Sequence, residues 1–116
     1  MNGAQENPAV PSTATGLLNV SYSRATKILT YNLSWSGLTG PATAGHIHGL
    51  APMGFNSGVV QPFSNFAAAT AGTYSFTLFV DGVKIKEEDL LNGLYYANIH
   101  TATYPGGEIR GQILFD

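Results

Sequence analysis

The sequence predicts an all-β domain, an antiparallel Greek-key β-sandwich or barrel carrying one short helix. Three observations lead there. Short runs alternate apolar and polar residues with period two, the spacing that turns one face of a strand into a core. Glycine and proline punctuate those runs, 14 and 6 of them in 116 residues, as turns between strands require. One segment alone, around residues 86–92, reads as a helix.

Residues 15–22 alternate with Leu18, Val20 and Tyr22 on one face, and residues 28–35 do the same with Leu29, Tyr31, Leu33 and Trp35. The five residues between them suit an antiparallel hairpin. Gly37 to Pro41 breaks the sheet, and a short strand, residues 43–48, follows. Residues 49–58 form a loop with Pro52 and three glycines, and Pro62 demotes the next run, 59–63, to an edge strand. Residues 73–80 are a strand with Tyr74, Phe76, Leu78 and Val80 aligned, closed by the turn signal Asp81-Gly82. Glu87, Glu88 and Asp89 favour a helix N-terminus, and Gly93 supplies its stop. Strands 94–101 and 108–115 complete the chain, joined by Tyr104-Pro105-Gly106-Gly107, whose Pro-Gly pair suits a type II turn. That turn folds Glu108 and Arg110 back alongside His100.

The length fits a single domain, residues 1–116, with its own core. Charged residues are 10% of the chain, against roughly 25% in typical soluble domains. A net charge of −2 without any basic run gives no electrostatic footprint for nucleic acid. No stretch reaches the roughly 20 apolar residues of a membrane span. Cysteine is absent, which excludes disulfides, cysteine-zinc sites, iron–sulfur clusters and thiol nucleophiles. The Ser/Thr/Gly-rich, charge-poor character points to an exported protein, secreted or periplasmic, with Met1 read as a start residue added to a mature domain. The sequons at Asn19 and Asn32 fall inside strands and are read as chance matches.

All three histidines lie on strands: His46 and His48 in one, His100 in another. Residues two apart share a face, so His46 and His48 point together, with Ile47 opposite. On the later strand Tyr96, Asn98 and His100 share a face, with Ile99 opposite. Placing both isoleucines in the core sets three imidazoles on one outward wall. Nitrogen-only ligation without sulfur suits copper, with zinc the second choice, since affinity for such sites peaks at Cu(II). Against this stands the plain reading that each histidine hydrogen-bonds within its sheet. Arg110 is a candidate attractor for a small anion, and Glu108 a candidate acceptor that orients a histidine. Taken alone, the favoured reading of both is a structural ion pair or an exposed charge on the last strand. Met53 is a candidate soft ligand or an ordinary loop residue. The polar segment Gln5-Glu6-Asn7-Pro8 has no chemistry legible from its spacing; Glu6 is grouped with Glu108 as a candidate acceptor behind the histidines. No Gly-x-Ser-x-Gly elbow and no phosphate-binding glycine loop is present.

The runs Gly3-Ala4-Gln5-Glu6-Asn7-Pro8, Ala44-Gly45-His46-Ile47-His48-Gly49, Leu94 to Thr101 and Pro105 to Gln112 together resemble the CHRD domain, named after chordin, over nearly the whole chain. The resemblance implies an extracellular or periplasmic β-sandwich and implies no activity by itself. The His-x-His strand, late histidine and Gly-Gly-x-Ile-Arg-x-Gly strand are also similar to copper/zinc superoxide dismutase. That similarity implies His46, His48 and His100 as copper ligands and Arg110 as a guide for superoxide. It also makes the sandwich superoxide dismutase-like, the other option being immunoglobulin-like. The chain departs from that pattern in lacking a fourth histidine, the zinc ligands and the disulfide cysteines, so only copper-alone chemistry is implied. Many CHRD sequences carry His or Asn where this chain has Tyr104. Two functions follow: a copper-binding domain with a three-histidine site, extending to dismutase-like redox activity, or a non-catalytic extracellular module whose histidines are structural.

Overall fold

The computed structural model describes residues 1–64 and 66–115. After a 3-10 turn at Gly3–Gln5, the chain forms β1 (Thr15–Ser23), β2 (Ile28–Ser36), β3 (Ala42–Gly49), β4 (Val59–Pro62), β5 (Gly72–Phe79), α1 (Glu87–Leu91), β6 (Tyr95–Thr101) and β7 (Ile109–Gln112). These make two antiparallel sheets, β1-β2-β5 and β4-β3-β6-β7. The sheets pack as a sandwich and do not close into a barrel. First, second and fifth strands on one side, with third, sixth and seventh on the other, is the strand order of immunoglobulin-type sandwiches.

The period-two pattern sets the core. Leu29, Tyr31, Leu33 and Trp35 of β2 are buried, and Ile47 of β3 and Ile99 of β6 meet them from the facing sheet, both fully buried. Val80, Ile85, Leu90 and Ile113 close one end. The helix is one residue shorter at each end than its sequence signal: Lys86 and Asn92 are its caps, and the chain leaves it through Gly93 at φ +74°.

Two expectations are corrected. The last strand is Ile109–Gln112, shorter than residues 108–115, because Glu108 lies in a bend after Gly107 at φ +122°. The 104–107 turn is closed by Gly107 N–H donating to the Tyr104 carbonyl at 3.0 Å. The positive φ belongs to Gly107 rather than Gly106, so glycine serves the last turn position and type II is excluded.

β6 departs from simple alternation, being buried on both faces along its whole length. One face meets the core. The other, which carries the histidines, is roofed by the 51–58 loop and the N-terminal segment. Gln112 Nε2 donates to the Ala51 carbonyl, Asn7 Nδ2 to the Gly54 carbonyl, and Asn56 Nδ2 to the Asn7 carbonyl.

Candidate metal centre

Strand register assembles the three histidines. In the β3–β6 pairing His46 lies opposite Asn98, His48 opposite Tyr96, and Ala44 opposite His100. The small Ala44 side chain leaves His100 room to lean towards His46, and their nitrogens, Nδ1 of His46 and Nε2 of His100, approach to 2.9 Å. The His46 ring stands edge-on to both His48 and His100, with centroids 5.6 and 4.7 Å away. One ligating nitrogen from each of the three lies within 4.8 Å of the others, a grouping found nowhere else among the described residues.

Hydrogen bonds fix most of the tautomers. His100 Nδ1 sits 2.9 Å from the Pro105 carbonyl, which can only accept, so Nδ1 carries the proton. Nε2 then presents its lone pair to His46. His48 Nδ1 donates likewise to the Ser57 carbonyl at 3.0 Å, and its Nε2 lies 2.9 Å from the Asn98 amide. Burial holds all three histidines below the ordinary imidazole range, assisted at His46 by His100 and His48, at His48 by Arg110, and at His100 by His48. Asn98 presents its Oδ1 to His48 Nε2, and its Nδ2 donates to Glu6 and to the Gly106 carbonyl, which can only accept, at 3.5 Å each. Amide orientation follows from such a network rather than from atom positions alone. Burial pushes the Glu6 carboxyl up to about 7, against the pull of Arg110 and of the Asn98 N–H it accepts from.

Tyr96 separates the histidines from Arg110. The His48 and Tyr96 rings stack at 4.7 Å and 2°, and the Arg110 guanidinium carbon lies 3.5 Å from the Tyr96 centroid. Two groups so close to one ring overlap unless they occupy opposite faces, so the order is His48, Tyr96, Arg110. Arg110 is 1% exposed and donates to Asn56 Oδ1 at 3.0 Å and to the Phe55 carbonyl. Its cation clamps the covering loop and does not stand at an open mouth as an anion guide. The Tyr96 hydroxyl bonds the Ser57 backbone from the same side.

Glu108 is a second correction. Its carboxylate accepts from Ser12, Thr101 and both donors of Thr39, with bonds of 2.6 to 3.3 Å. It touches no histidine. The bend at Gly107 breaks the period-two alternation that placed it on the histidine face. Burial raises its carboxyl, but those hydrogen bonds outweigh it and hold the group below the usual range. Met53 is absent from the site as well, lining a groove with Leu17 and Leu114. Of the residues singled out in the sequence, the fold brings together the three histidines, with Glu6 behind them through Asn98. The Asn98 amide and Tyr96 ring were visible there only as face-mates of His100, and the roofing role of Ser57 gave no signal.

The donor set fits a transition metal. Nitrogens bound at about 2.0–2.1 Å stand at most about 4.2 Å apart, so a separation near the 4.8 Å limit closes by a modest ring rotation. His46 and His100 already converge; binding needs only the His46 hydrogen to move from Nδ1 to its other ring nitrogen. His48 joins by breaking its contact with Asn98.

Fold and site together define an immunoglobulin-type β-sandwich with a roofed three-histidine cluster on its four-stranded sheet. The family model of the CHRD domain matches residues 1–113, and the chain belongs to that family. No curated protein and no solved structure matches the chain significantly.

Proposed function

We propose that this protein is an extracellular copper-binding module, secreted or periplasmic, whose metal is held by His46, His48 and His100. The observation that carries the reading is the convergence of three imidazole nitrogens within 4.8 Å on one sheet face. Neutral, partly buried imidazoles with no thiol or carboxylate among them favour copper over zinc, and both over magnesium or calcium. Copper would supply a one-electron redox centre there. His46, His48 and His100 would hold it, with the His100 and His48 rings held in place by the Pro105 and Ser57 carbonyls. Holding or delivery of copper is favoured over dismutation of superoxide, because the Arg110 guanidinium is spent on the 51–58 loop.

One observation favours a structural role for His48: both of its nitrogens already have partners. Calorimetric titration of the protein with Cu(II) separates the readings. One equivalent bound, lost in His46→Ala and in His100→Ala, supports the metal site. Binding that persists in both variants refutes it. A loss confined to His46→Ala and His100→Ala, with His48→Ala still binding, leaves a two-histidine site and makes His48 structural.

A further inference from the structure

We propose that the free edge of β5 pairs with the same edge of a second copy, antiparallel and centred on Phe76, to form a closed dimer with a continuous six-stranded sheet. β5 is paired with β2 in unbroken register from Gly72 to Phe79. On its far side no backbone group among the described residues bonds it. Every second residue of such a strand turns its N–H and C=O outwards, a template for another strand unless something blocks it.

The other edges differ. β4 is four residues long, carries Pro62 and is bulged against β3. β7 is taken by Asn2, which exchanges backbone hydrogen bonds of 3.1 and 3.0 Å with Arg110. β1 is partly occupied, since Met1 and Gly16 exchange bonds beside the Asn2–Thr15 bridge. β5 has none of these devices: no proline, no charge, no bulge, and eight residues of length.

Charge leaves this edge unguarded. The chain has five Lys and Arg and seven Asp and Glu. Arg24, Lys27 and the six charged residues of segment 81–89 crowd one end of the sandwich, tied by Lys27 to Glu87 at 3.0 Å. Glu6, Glu108 and Arg110 are buried, and Asp116 lies outside the described residues. An antiparallel two-fold sets the charged end of each copy beside the uncharged end of the other. The same patch on both copies is self-complementary and closes, whereas β5 on β1 would run head to tail without closing.

The register follows from side-chain direction. Residues directly opposite must share a face, so the two-fold passes through a residue. Centring it on Phe76, 37% exposed on the core-facing side, covers each Phe76 ring with its counterpart. Phe79, 58% exposed, then lies opposite Thr73.

Sedimentation velocity from micromolar to millimolar protein tests the proposal, with a concentration-dependent dimer expected and its loss in Ser75→Lys/Thr77→Lys. The chain has no cysteine, so Phe76→Cys adds a single thiol. Mild oxidation should link two copies of Phe76→Cys and not of Ser21→Cys on the β1 edge. A monomer at every concentration, or equal cross-linking at both positions, overturns the proposal, and the cross-link decides it even where the lysine variant fails to fold.

Discussion

Replacing Glu6 by glutamine should stabilise the protein in a pH-dependent way. Glu6 is 8% exposed, and burial lifts its carboxyl from the ordinary 4.5 to about 7. An acid whose folded-state pKa is raised binds more protons folded than unfolded between those two values. Its contribution to stability therefore falls as pH rises from about 4.5 to about 7 and stays low above. A displacement of that size corresponds to roughly 3 kcal/mol. Glutamine keeps the shape and the contact with Asn98 but cannot ionise. Urea denaturation at about pH 4 should find variant and wild type alike, and at about pH 8 the variant more stable by roughly 2–3 kcal/mol. A Glu6→Gln variant less stable than wild type at the higher pH would refute this, since the ionised carboxylate would then be a net stabilising partner of Arg110.

The three histidines give the opposite slope. Their pKa values are lowered by burial, so stability should fall as pH drops below the ordinary imidazole value of 6.5, and His100→Asn should flatten that part of a denaturation profile. Gly107→Ala should cost about 2–4 kcal/mol in thermal or urea unfolding, from a backbone at φ +122° and a Cβ that would overlap the Glu6 carboxylate. Arg110→Met removes the donors to Asn56 and Phe55 and the cation over Tyr96; a loss of about 2–4 kcal/mol and faster proteolytic cleavage within residues 51–58 are expected. Copper loading should release protons only at acidic pH, and calorimetry in buffers of different ionisation heat measures it. At about pH 7 the three imidazoles are already neutral, and the hydrogen between His46 and His100 moves to the other His46 nitrogen.

Much of the fold is legible because period-two alternation survives from sequence to sheet. Leu29 to Trp35 lie in the core as the spacing predicts, and Ile47 and Ile99 back the histidines on the opposite face. The histidine wall follows from the same rule applied to two strands. What the pattern does not reach is set by contacts between distant segments. The roof over the site depends on Asn7 meeting Gly54 and Asn56, nearly fifty residues apart in the chain. No local spacing encodes that meeting, so a wall expected to face solvent is covered. Glu108 departs from its expected place for a related reason: alternation does not carry back through the bend that begins at Gly107. Arg110 lies on the expected face, but its engagement with the Phe55 carbonyl arises from the fold of the loop above it.

The most direct test of the metal site is the electron paramagnetic resonance spectrum of the protein with one equivalent of Cu(II). Nitrogen hyperfine structure from imidazole, present in the wild type and removed by the paired substitution His46→Ala/His100→Ala, is the expected result. A spectrum unchanged by that substitution, or that of aqueous copper in the wild type, would contradict a metal site on this sheet.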